Sequence, residues 1–234
     1  MPTIEALNQG SSTQRNALNH QAIEDYLKTI YTLAEEGSPV STSRIAEARE
    51  VKPSSVTSML QRLDQLNLVA YEKHYGVTLT ASGEKIALEV IRHHRLLELY
   101  LSEALGFGWD EVHEQADLLE HVISEKMEER MAAVLGDPVF DPHGDPIPAR
   151  DGTIVNRKTQ FLTTIAAGET VTIARIPDDD NERLRYLADL GMVPGVKLLV
   201  TAVFPFEGPI YADVNNKNIV IGHTLAQTIQ VSKA

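Results

Sequence analysis

Asp117, Glu120 and His121 carry the chemistry of a divalent-cation site. At i, i+3 and i+4 of a helix they share one face. Two carboxylates and an imidazole then supply three ligands of an octahedral or distorted five-coordinate centre. His113 stands one turn before Asp117 on the same stripe, and His94 and Glu98, again i and i+4, offer a second nitrogen and oxygen pair. A helical hairpin would bring His94 and Glu98 toward His113, which points to two neighbouring sites. The competing reading of Asp117, Glu120 and His121 is a solvated salt-bridge face. His93, on a different face from His94, reads as ordinary surface.

The charge distribution supports the cation reading. The 234 residues hold 21 basic and 33 acidic side chains, a formal net charge of −12. An acidic chain argues at first against a phosphate-binding partner. Residues 87–150, however, carry 14 acidic and 5 basic residues, whereas residues 20–86 carry 9 and 7. The excess therefore lies with the candidate ligands, and residues 20–86 stay close to neutral. No cysteine is present, which excludes disulfides, thiolate zinc sites and a cysteine nucleophile and fits a reducing cytoplasm. No apolar run reaches the roughly 18 residues of a membrane span, and the polar stretch 1–19 lacks the apolar core of a signal peptide. The expectation is a cytoplasmic protein that makes no use of a membrane.

The elements that must position these residues follow from periodicity. Ile23, Leu27, Ile30, Tyr31 and Leu33 predict an amphipathic helix that stops at Gly37. Ser41, Thr42 and Ser43 offer caps for a short helix, and Pro53 opens another whose core stripe is Val56, Met59, Leu60, Leu63 and Leu66. The alternation of Val69 and Tyr71, then of Val77 and Leu79, about a turn near His74-Tyr75-Gly76 predicts a β-hairpin. That order is a winged helix-turn-helix. Thr80 or Ser82 then caps a long helix to Gly106, and Asp110 caps a second long helix ending at Gly136-Asp137-Pro138. The fold expected is mainly α with a C-terminal β-barrel. Its parts are a polar tail (1–19), a winged helix-turn-helix (20–84), a helical segment that bears the candidate metal ligands (85–137), an extended Pro-rich linker (138–153) and a small β-barrel (154–234).

The helix after Pro53 begins with Ser54, Ser55, Thr57 and Ser58, small hydroxyl residues that allow close approach to backbone and base edges in a major groove. Lys52, Gln61 and Arg62 flank them, and Lys73 and His74 at the hairpin tip can reach phosphate. The plainer reading of the hydroxyls is a solvated helix N-terminus. Seven basic residues allow few phosphate contacts per subunit, and a dimer doubles them.

The strings EDYLKTIYTLAEEG, SRIAE, PSSVTSMLQRL, VTLTASGEKIA, RHHRLLELYL and EVHEQADLLEHVIS together resemble the diphtheria toxin repressor (DtxR) family of metal-dependent transcriptional regulators, with its iron and manganese branches. LGMVPG resembles the FeoA-like module of longer members, which implies an SH3-like domain over 154–234, and the family pattern implies a dimerisation domain over 85–137. The resemblance implies a regulatory site from Asp25, Asp117, Glu120 and His121, an ancillary site from His94, Glu98 and His113, a homodimer and a palindromic double-stranded operator. Iron-responsive members place methionine and cysteine where this chain has Asp25 and Asp117. The replacement of sulfur by carboxylate favours Mn(II), with Fe(II) next. Short manganese members carry a second acidic ligand where Lys28 stands here. The barrel ligands of iron sensors correspond to Asp180 and Arg183; Asp180 can ligate, Arg183 cannot, and Asp178 or Asp179 could substitute.

The expected function is a Mn(II)-activated repressor of metal-uptake genes, with an Fe(II)-responsive regulator as the alternative. A helical di-metal carboxylate enzyme is a rival from another class. It needs a Glu-x-x-His motif on each of two helices, and the spacings of His94 with Glu98 and of Glu120 with His121 fail that test. An interaction module with structural histidines is a third reading.

Overall fold

The computed structural model describes residues 20–233, so the stretch 1–19 lies outside the described residues. The chain divides into two compact units between Arg92 and His93. In the first unit, helix α1 covers residues 20–34 and buries Tyr26, Leu27 and Ile30. Helix α2 (Thr42–Ala48) starts where the Ser41 side chain accepts a hydrogen bond from the Arg44 N–H. Helix α3 (Pro53–Gln65) has proline in its first turn and turns Val56, Leu60 and Leu63 inward. Strands β1 (Val69–Glu72) and β2 (Gly76–Leu79) pair antiparallel with Val69 opposite Leu79. Val69 and Val77 from this wing close one apolar core with Leu27, Ile30, Ile45 and Leu60. The tight turn depends on Gly76, whose φ is +126° and where a Cβ would lie 2.6 Å from the Val40 carbonyl oxygen.

Helix α4 (Ala81–Leu105) is capped by Thr80, whose hydroxyl accepts from the Gly83 N–H at 3.2 Å. Beyond Gly106 the expected second long helix is two helices, α5 (Val112–Leu119) and α6 (Glu125–Val134). The break has a local cause. β-Branched Val122 and Ile123 favour the helix weakly, and the Ser124 side chain accepts from the Met127 N–H to start a new helix. Asp110 is also not the cap expected of it. Glu111 holds that position without a side-chain bond, and Asp110 lies 3.3 Å from Arg185.

The Pro-rich stretch is folded rather than extended over its first half. Asp141 Oδ1 accepts from the backbone N–H groups of His143 and Asp145, both at 2.9 Å. Arg95 and Arg175 bind Asp145 at 3.1 and 2.8 Å, and Gly144 sits so close to the Ala174 backbone that a Cβ would stand 1.9 Å from its carbonyl oxygen.

The C-terminal strands are β3 (Gln160–Phe161), β4 (Thr170–Arg175), β5 (Lys197–Val203), β6 (Ile210–Val214), β7 (Lys217–Ile221) and β8 (Gln230–Lys233). They form one antiparallel sheet in the order β3-β8-β4-β5-β6-β7. The barrel expected from the alternation is not closed, because β3 and β7 are edges that do not pair with each other. Helix α7 (Asn181–Asp189) lies between β4 and β5 in sequence, helix α8 (His223–Ala226) between β7 and β8. Leu184 and Leu187 of α7 join Ile173, Val200 and Ile221 in the core, against which Trp109 packs. Among the described residues no helix is long and apolar enough to cross a membrane.

Candidate metal centre

His94 occupies the middle of the cluster in the second unit. Its Nδ1 faces Glu120 Oε2 at 2.5 Å and Asp117 Oδ1 at 3.2 Å. Its Nε2 faces Glu98 Oε1 at 2.9 Å and His113 Nδ1 at 3.1 Å. The i, i+4 placement on α4 thus aims His94 and Glu98 at each other, as the spacing predicts. His113 Nδ1, on α5, is 3.1 Å from Glu98 Oε1 and 3.0 Å from Asp178 Oδ2. His121 Nε2 lies 3.3 Å from Glu120 Oε1.

Asp117 and Glu120 keep their i, i+3 relation, and both carboxylates reach His94 Nδ1. Helix α5 ends at Leu119, Glu120 is its C-cap and His121 follows in a turn. Glu120 holds helical φ and ψ of −56° and −28° and its N–H donates to the Ala116 carbonyl oxygen at 2.9 Å, so the helical period carries its buried carboxylate to His94. His93 also departs from its surface reading, for it is buried and its ring faces the Glu120 carbonyl oxygen at 3.1 Å.

Asp180 is elsewhere. Its side chain accepts from the Arg183 N–H as the N-cap of α7, and the carboxylate that reaches His113 belongs to Asp178, two residues earlier. Arg183 itself donates to the Pro177 carbonyl oxygen at 2.9 Å and pairs with Asp179.

Two residues escaped sequence reasoning. His143 is fully buried, stacks on Trp109 and directs Nδ1 toward Glu98 Oε2 at 3.9 Å. Asp141 completes a buried group with Glu98 and His143. The available signal was the string Asp-Pro-His-Gly-Asp, whose side chain-to-backbone turn holds imidazole and carboxylate together.

Burial and charge act in opposition throughout. Burial disfavours a charged His94, but Glu98, Asp117 and Glu120 outweigh it and hold its pKa well above the ordinary value. Burial likewise works against charge on His113 and His143. Asp178 and Glu98 nevertheless raise His113 to about 10, and Glu98 raises His143 to about 9. Burial would raise Glu98, but His94, His113 and His143 bring it well below the carboxylate range. Asp141 goes the other way, pushed up by burial and by the neighbouring Glu98 and Asp145 charges.

Glu98 Oε2 and His143 Nδ1 are buried with no hydrogen-bond partner, and ligand bonds of about 2 Å each span a gap of their size. The donors are oxygens and imidazole nitrogens without sulfur, which suits a divalent ion of the manganese or iron type.

The candidate nucleic-acid face lies in the first unit. Lys52, Ser54, Ser55, Ser58, Gln61, Arg62 and Lys73 are exposed, while Thr57 is half-buried. Thr57 and Ser58 donate back to the carbonyl oxygens of Pro53 and Ser54, both at 3.0 Å. Asp25, on α1, is paired with Arg49 at 2.9 Å.

Residues 20–77 match the iron dependent repressor N-terminal DNA binding domain, residues 80–149 its metal binding and dimerisation domain, and residues 161–233 the FeoA domain. The chain is 32% identical over 222 residues to the iron-dependent repressor IdeR of Mycobacterium leprae, covering 90% of this chain and 96% of that one. It is 30% identical over 220 residues to the diphtheria toxin repressor of Corynebacterium diphtheriae, with 90% and 96% covered. A solved manganese-dependent transcriptional repressor in complex with manganese superposes with a TM-score of 0.81 at 40% identity, over 91% of this chain and 100% of the other. A structure of ScaR with bound Zn2+ gives 0.75 at 31% identity, over 91% and 99%.

Proposed function

This chain belongs to the DtxR family of iron- and manganese-dependent transcriptional repressors, DNA-binding proteins and not enzymes, and from that premise we propose its metal, its ligands and its partners. The effector is Mn(II), with Fe(II) as the alternative that the names of the iron-dependent relatives keep open. One ion is held by Asp117, Glu120 and His121, to which the resemblance adds Asp25. The other is held by His94, Glu98, His113 and Asp178, with His143 beside them. The observation that carries this reading is the convergence of His94, Glu98, His113 and Asp178, with Glu98 Oε2 and the neighbouring His143 Nδ1 buried and without a hydrogen bond.

The DNA-binding residues proposed are Lys52, Ser54, Ser55, Thr57, Ser58, Gln61, Arg62 and Lys73. The partner is a palindromic operator read by a homodimer in the cytoplasm, upstream of metal-uptake genes. The dimer face proposed follows Leu118, Val122 and Val134, each more than two-thirds exposed on or beside α5 and α6, because apolar side chains so placed favour a covered surface. Metal and operator are then linked reciprocally, each favouring the state competent for the other.

The test selects duplexes from a random library in the presence of Mn(II), then measures their anisotropy with and without the ion. Mn(II)-dependent affinity that is lost in the Asp117→Ala, Glu120→Ala double variant is expected. Equal affinity under all these conditions would falsify the switch.

A further inference from the structure

In the first unit, Arg49 Nη2 donates to Asp25 Oδ2 at 2.9 Å, and the guanidinium carbon lies 5.2 Å from the centroid of the Tyr26 ring. Both side chains are largely shielded, Arg49 28% and Asp25 22% exposed. Arg49 is the C-cap of α2, and its N–H donates to the Ile45 carbonyl oxygen at 3.0 Å. The backbone therefore pins the residue that faces Asp25. Its Nε is buried without an acceptor, so the pair to Asp25 is a main charged anchor of the group. A guanidinium does not lose its proton in a protein. The ion pair is broken by displacement of Arg49 and not by its titration.

We propose that Arg49 is a built-in competitor cation. It occupies Asp25 in the metal-free protein and thereby raises the metal concentration at which Asp25 ligates. This rests on the reading that Asp25 is a metal ligand. A divalent ion and a guanidinium held on one carboxylate stand within about 5 Å of each other and repel, and the net gain that holds a partly exposed guanidinium there is small. The ion must therefore weaken the Arg49 contact, and part of its binding free energy goes into doing so. The contrary role, in which Arg49 orients Asp25 for the ion, predicts the opposite sign.

The experiment measures Mn(II) affinity of the full chain by competition with a fluorescent chelator, without DNA. Arg49→Gln, or Arg49→Met should the glutamine variant not fold, is expected to tighten Mn(II) binding about two- to fivefold. Arg49→Lys should stay near the parent. In an Asp25→Asn background the Arg49→Gln change should have no effect. If Asp25→Asn weakens binding while Arg49→Gln weakens it or leaves it unchanged, the competitor role is overturned. If Asp25→Asn leaves affinity unchanged, the ligand reading of Asp25 fails, and the competitor role falls with it.

Discussion

The Nδ1 of His94 lies 2.5 Å from Glu120 Oε2, although the two residues are 26 positions apart and only one of them is in a helix interior. That contact joins two ligand groups, because the other ring nitrogen of His94 is 2.9 Å from Glu98. Were Nε2 to ligate an ion, Nδ1–H would donate to Glu120 and fix both the ring and the carboxylate, a relationship that tunes metal sites strongly.

Replacement of His94 by glutamine should therefore weaken both ions, each by about 10- to 100-fold. Glu98→Gln should weaken chiefly the ion near His113. Stoichiometry and affinity from a chelator competition distinguish the two. Loss confined to one ion in His94→Gln would show that the sites are independent.

Metal binding should release protons. With His113 raised to about 10 and His143 to about 9, the metal-free centre is protonated at neutral pH, whereas ligating imidazoles must be neutral. Affinity should fall as pH is lowered, and calorimetric enthalpies should vary with the ionisation heat of the buffer. The metal-free protein has the reverse dependence. A raised histidine contributes stability that is complete below its ordinary value near 6.5 and is lost as pH rises through about 9 to 10. The thermal midpoint of the metal-free protein should decline across that window. A buffer-independent enthalpy would contradict the protonated centre.

Asp178 and Asp180 should respond differently to alanine. Asp178→Ala removes the carboxylate 3.0 Å from His113 and should lower the affinity of one ion with little change in fold. Asp180→Ala removes the cap of α7 and should cost about 1 kcal/mol of stability with metal stoichiometry intact. Urea unfolding and metal titration of both variants separate the roles, and a metal defect in Asp180→Ala would reverse the assignment.

This contrast marks where the sequence was readable. Helices α1 to α4 and the wing followed from periodicity and caps, and His94 with Glu98 from an i, i+4 spacing that geometry converts directly into contact. Three successive aspartates offer no such guide. Asp178, Asp179 and Asp180 are alike in type, and only the entry of the chain into α7 decides which reaches His113. The end of α5 was hidden because the ligand pattern continues across it, while the Ser124 cap that restarts the helix is a single residue. His143 and Asp141 lie in a loop fixed by Arg95 and Arg175, from α4 and β4, and local patterning carries no trace of such distant partners. Alternation identified the strands, but closure depends on edge pairing, which alternation does not encode.

Docking of that loop is itself testable. Gly144 has φ +90°, and its missing Cβ makes room for the Ala174 carbonyl oxygen. Gly144→Ala should destabilise the protein by more than about 1 kcal/mol and weaken the ion next to His143. Denaturant unfolding with and without Mn(II) measures both effects. A fully stable variant with unchanged metal affinity would show that the loop does not position His143.

Lys52 and Lys73 should act on the operator through charge alone. Both are exposed, Lys52 at the N-cap position of α3, so each ammonium is open to phosphate. Each alanine substitution should weaken binding of all duplexes alike and lower the salt slope by roughly one per subunit, hence about two for a dimer. Ser55→Ala should instead change the ranking of sequences at little cost in salt dependence, because an exposed hydroxyl at the start of α3 is placed to reach base edges. Anisotropy across a salt series, run on the selected duplex and on scrambled duplexes, gives both quantities. A Lys52→Ala variant with an unaltered slope would remove that residue from the phosphate contacts, and unchanged sequence ranking in Ser55→Ala would remove the hydroxyl from base recognition.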